Sequence, residues 1–168
     1  GSEEMYINTE ILLATIDNFA ARLGQNNLSG VSETFINLTV TSQKMSELRI
    51  NLHELRDFGE DALSQALPEE MREIVSTFFA SGQLKALSFS ERQQLINQYQ
   101  QLRRMQRRKL LEVVKGNQMQ AAEATRQLQV LSLFEESIKR VVIIGDIIYP
   151  EIIEEAEAPV MVLERLGN

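Results

Sequence analysis

The chain has 168 residues, 24 of them acidic and 17 basic, for a net charge of −7, with one histidine and no cysteine. The lack of cysteine excludes disulfides, zinc–cysteine sites, iron–sulfur clusters and thiol nucleophiles. A hydrophobic fraction of 43% and a charged fraction of 24% are globular values, and a chain of this size buries roughly 70% of its unfolded surface in one domain.

Only three prolines, eight glycines and no tryptophan interrupt a composition rich in Leu, Glu, Gln, Ala and Arg. That composition favours helices. The expected fold is all-α, an antiparallel bundle of five or six helices with heptad-like stripes, spanning residues 3–168 as a single domain. Gly1 and Ser2 read as a cloning scar. The longest apolar run, 141–149, is broken by Gly145-Asp146 and falls far short of the ~20 residues that cross a bilayer. No signal peptide is visible, so the sequence reads as soluble and cytoplasmic.

Residues 10–23 follow an Asn8 or Thr9 cap, and Leu12, Ile16, Phe19 and Leu23 form an apolar stripe that Gly24 closes. The segment QNNLSG, 25–30, is turn chemistry and makes a helical hairpin. Ser32 then caps a second helix in which Leu38, Met45, Leu48, Leu52 and Leu55 keep heptad spacing, with Thr41 or Ser42 at the missing position. The frame runs on through Gly59, Ala62 and Ala66, which favours one helix to about Leu67, bent at Gly59, over two. The stretch FINLTVT is β-branched enough for a strand but lacks a pairing partner.

Pro68 opens the next helix, with Glu69, Glu70 and Glu73 over the positive end of its dipole. Met71, Ile74, Val75, Phe78 and Phe79 present a broad apolar face, and Gly82 ends it. The two phenylalanines read as core.

Residues 88–115 form a long helix in which Leu95, Tyr99, Leu102, Leu110 and Val113 share the buried side. Its start carries capping-box spacing, Ser88 with Glu91 or Ser90 with Gln93. Gly116 and Asn117 supply the stop. Asn117 then caps a helix framed by Ala124, Leu128, Leu131, Phe134 (or Glu135), Ile138 and Val141. The helices 90–115 and 117–144 would form the central antiparallel hairpin, with Ala121, Ala122 and Ala124 permitting close approach. The favoured end is near Ile144. A small β-hairpin at 141–149, with Gly145-Asp146 as its turn, is the competing reading. Pro150 and Pro159 bracket an acidic helix, EIIEEAEA, and the apolar 160–166 docks on the bundle or on another subunit. The acidic segment 145–168 is thus a docking or exchanged element.

Catalytic residue types are scarce. His53 sits mid-helix and reads as a surface or boundary residue. No Glu-x-x-His pair or phosphate-binding loop occurs. The carboxylate pairs Asp57 with Asp61, Glu69 with Glu73, and Glu151 with Glu154 or Glu155 lie where helix dipoles and solvation explain them. No enzyme activity, cofactor or metal is expected.

Charge is segregated: residues 1–88 carry 13 acids and 6 bases, 89–134 carry 3 and 8, and 135–168 carry 8 and 3. Five of the seven residues 103–109 are basic. Arg104, Arg108 and Lys115 project opposite the apolar side, with Arg103 and Arg107 on the flank. Like charges at i, i+4 repel unless an anion lies across them. Either the acidic segments neutralise this face within the fold, or it is open to an anionic partner. The candidate partner-binding residues are therefore Arg103, Arg104, Arg107, Arg108, Lys109 and Lys115. Nucleic acid would use the arginine forks, but no aromatic platform is interleaved with them. An anionic membrane surface is a similar option. An acidic protein segment, such as the chain's own EIIEEAEA, fits better than either. The function read from the sequence is a non-enzymatic, regulatory or scaffolding protein-interaction module that self-associates. The alternative is an anion-binding module that holds nucleic acid or anionic phospholipid on its basic helix face.

Overall fold

A computed structural model describes residues 9–25, 31–80 and 82–150; for 9, 11, 19, 20, 22–25 and 31–34 it describes the backbone alone. Within them the chain is an all-α bundle of seven helices: α1 Thr9–Gln25, α2 Val31–Phe58, α3 Glu60–Ala66, α4 Glu69–Phe79, α5 Gln83–Ala86, α6 Phe89–Lys115 and α7 Ala121–Ile148. The turn 26–30, the Asn8 cap and the acidic segment from 151 onward lie outside the described residues.

α7 is the centre of the bundle. Val130, Leu131, Phe134, Ile138, Val141, Val142, Ile144 and Ile148 are all buried along it, because apolar residues occupy nearly every inward position of a helix enclosed on several sides. Its most extensive partner is α2. Asn51 Nδ2 donates to Glu136 at 2.8 Å and Arg140 Nε to Glu47 at 2.9 Å, so the two helices run antiparallel. α6 lies antiparallel on another side of α7, tied by Arg92 to Asp146 at one end and Arg103 to Glu135 further along. The α6–α7 hairpin therefore exists, but the main packing is α2 on α7, a pairing between segments distant in sequence.

α2 and α3 are two helices, which corrects the single helix to Leu67. Gly59 breaks them at φ 87°, ψ 155°, a conformation that only glycine adopts without strain. The stripe Leu48, Leu52, Leu55, Leu63 and Ala66 is buried across the break, with Thr41 below it. Leu38 is 43% exposed, so the stripe fails at its first member. α2 begins at Val31, which puts Ser32 inside the first turn rather than at the cap.

α4 buries Met71, Ile74, Val75, Phe78 and Phe79, as the spacing requires. Pro68 stands at its N-cap, one position earlier than expected. The chain then turns through Gly82, at φ 78°, into the short α5, which the sequence pattern did not reveal.

Two further expectations are corrected at α7. The helix continues through Gly145-Asp146 to Ile148, so there is no hairpin at 141–149. Gly145 is there for packing: a Cβ on it would lie 2.8 Å from Leu84 Cδ2. The helix starts at Ala121 with Gln120 as N-cap, not at Asn117, which takes a left-handed φ of 56° in the corner. Ala124 is buried, but Ala121 and Ala122 are exposed, so only one of the three alanines mediates close approach.

Candidate functional site

The site is built on α6, whose orientation is fixed at its start and in its middle. At its start, Glu91 N donates to Ser88 Oγ at 3.1 Å and Ser88 N to Glu91 Oε1 at 3.0 Å, the capping box read from the sequence. The Ser88 backbone and hydroxyl hold the Glu91 carboxyl below its ordinary pKa. One turn in, Arg92 is 2% exposed and pairs with Asp146, with a second donation to the Tyr149 carbonyl at 3.4 Å. In the middle, the buried Tyr99 hydroxyl donates to the Leu131 carbonyl at 2.7 Å. Burial, reinforced by the Glu135 charge, pushes its pKa far above the usual phenol range.

These ties decide which arginines are available. Arg103 lies about 100° of helical turn from Arg104, and that brings it against α7. Its Nε donates to Glu135 at 2.8 Å, and Nη1 reaches Ser132 Oγ at 3.5 Å. Glu135, which Lys139 also contacts at 3.1 Å, therefore neutralises Arg103 within the fold. Arg103 is thus paired within the fold and stands apart from the arginines that face out.

The other candidates face out. Arg104, Arg107, Arg108 and Lys109 are exposed, and among the described residues none of them makes an ion pair. Among the described residues Lys115 pairs only with its own-helix neighbour Glu112, at 3.6 Å, with both side chains about three-quarters exposed. Such a pair is worth little. At ~100° per residue, Arg104, Arg108, Leu111 and Lys115 fall within about 60° of one another, with Arg107 beside them. Leu111 is 45% exposed in the middle of this row.

Lys109 lies further round, on the edge of a groove of about 540 Å³ between α6 and the first turn of α4. Met71, Leu102 and Met105 give the groove an apolar lining, and Met105 is 49% exposed. Across from α6 stand Glu69, Glu70 and Glu73, all exposed and, among the described residues, without an ion-pair partner.

Sequence reading missed the exposure of Met105 and Leu111 and the acidic wall facing them. It also missed Arg92 and Asp146, although an aspartate inside VVII-GD-II was a visible signal that a cation must meet it. His53 is half-buried on α2, and Asp57, Asp61, Glu69 and Glu73 are exposed. Among the described residues no group of three or more His, Asp or Glu side chains could hold a metal ion. None of the described helices is long and apolar enough to cross a membrane. Comparison with protein-family models, with curated proteins and with solved structures finds no match.

Proposed function

We propose that this protein is a non-enzymatic helical interaction module that engages an acidic protein surface through the outer face of α6. The observation that carries this reading is the row of Arg104, Arg107 and Arg108, exposed and, among the described residues, without counter-charge. Like charges repeated at i, i+3 and i+4 destabilise a helix unless an anion compensates them. Leu111 argues for protein over nucleic acid. A phosphate backbone makes no use of an apolar side chain at the centre of the face, whereas an amphipathic acidic segment meets both the leucine and the cations. The role is regulatory or scaffolding in the sense that binding, not turnover, is the output.

Fluorescence anisotropy with a labelled oligoglutamate peptide tests this. The expected result is binding that weakens about tenfold or more as salt rises through the range where Debye screening shortens below ~10 Å, and that Arg104→Glu with Arg108→Glu abolishes. Equal or tighter binding of a duplex oligonucleotide, or of phosphatidylserine vesicles, would transfer the face to those ligands. Binding indifferent to salt and to the double substitution would overturn the proposal.

A further inference from the structure

We infer that the acidic surface α6 meets is the α4–α6 groove of a second copy of this chain, so that two copies close into a twofold dimer. This rests on the proposed function and names its partner. Each molecule carries both halves of a complementary pair on one side. The groove presents Glu69, Glu70 and Glu73 over Met71, Leu102 and Met105, and the adjoining row presents Arg104, Arg108 and the exposed Leu111. The carboxylates and the arginines stand at the same level of α6, because the groove is lined there by Leu102, Met105, Gln106 and Lys109 and the row begins at 104. Met105 lies between the groove and the row on the helix surface.

Symmetry selects the arrangement. A twofold axis perpendicular to α6 would pair the two helices antiparallel and set one arginine row beside the other. An axis running alongside α6 near Met105 pairs them in parallel. It exchanges the sides, so Arg104 and Arg108 of each copy meet Glu69, Glu70 and Glu73 of the other. Such an isologous contact is self-complementary and closed, which limits assembly to two chains. Leu111 and Met105 then supply the apolar part of the contact, the flexible methionine adapting to its counterpart.

The test is light scattering after size exclusion on the full chain and on two charge-reversed variants. These are Arg104→Glu with Arg108→Glu, and Glu69→Arg with Glu73→Arg. All four positions are exposed, and circular dichroism verifies that each variant keeps its helices. The expected result is a wild-type mass of two chains, monomers for each variant alone, and recovery of the two-chain mass when the variants are mixed, since both contacts of the mixed pair are then complementary in charge. In this cysteine-free chain, Met105→Cys should also form a disulfide-linked dimer under mild oxidation. A monomeric wild type, variants that stay dimeric, or a mixture that stays monomeric would each overturn the dimer. The oligoglutamate measurement is read separately: if it succeeds while the wild type is monomeric, the face binds an acidic partner other than this chain.

Discussion

Arg92 shows what a buried charge demands. It is almost completely enclosed, and Asp146 is three-quarters buried opposite it. Removing one member of such a pair leaves a charge without compensation and costs ~3–5 kcal/mol, whereas replacing both with apolar residues is often neutral. Arg92→Met should therefore lower the unfolding free energy by a few kcal/mol, somewhat less than a fully buried pair because Asp146 retains some water. Arg92→Met with Asp146→Leu should recover much of that loss in urea denaturation. Glu91 gives a pH dependence of defined sign. Its folded pKa is depressed by the capping box, so its contribution is full above the ordinary carboxylate range and is lost as pH falls through the lower, folded value. The thermal midpoint of Glu91→Gln should accordingly fall less steeply on acidification than that of the wild type. Ser88→Ala should cost ~0.5–2 kcal/mol at neutral pH, the usual worth of an N-cap. Serine and glutamate three apart made this cap legible in the sequence. The ion pair was not, because its members are separated by 54 residues.

At the scale of the element, the glycines explain where periodicity misleads. The heptad frame passes through Gly59 without a gap, yet the backbone there takes φ 87°, and nothing lies within 4 Å of the place a Cβ would occupy. Gly59→Ala is therefore strained by conformation and not by contact, at a cost of about 1 kcal/mol or more. Gly145 is the reverse case. Its helical backbone accepts any residue, but Leu84 Cδ2 and Cγ stand 2.8 and 3.1 Å from the added carbon. Gly145→Ala should cost ~1–3 kcal/mol through overpacking. Its cost should shrink in a Leu84→Ala background, a coupling that a double-mutant cycle in denaturant measures. The spacing reads as continuous through Gly59 and as ending before Gly145, and the chain breaks at the first and runs on through the second. Local spacing does not separate these outcomes, since it records neither the left-handed φ taken at Gly59 nor the Leu84 side chain that packs on Gly145.

At the scale of the whole molecule, the distribution of burial defines which parts open first. The core runs from Val130 to Ile148 on α7, from Leu48 to Leu55 on α2 and along α4, whereas α6 adds Ile96 and Tyr99. Leu110 and Ala124 are buried between the hairpin helices but lie outside that core. Native-state hydrogen exchange should therefore show the amides of 110–124 opening at lower free energy than those of 130–144. The basic row sits partly on this less protected end of α6, so partner binding should slow exchange there.

Composition and local spacing were enough to establish the helical class, the capped start of α6, the broad apolar face of α4 and the concentration of positive charge in 103–109. These rest on interactions three to seven residues apart, which begin and end within one helix. It took the packed bundle to decide that α2, not α6, is the main partner of α7, that Arg103 is neutralised by Glu135, and that Arg104, Arg107 and Arg108 are left outward beside a groove walled by Glu69, Glu70 and Glu73. The physical reason is range. Which surface of a helix is covered, and which charge finds a counter-charge, depends on residues brought together from distant parts of the chain, and no periodicity records that.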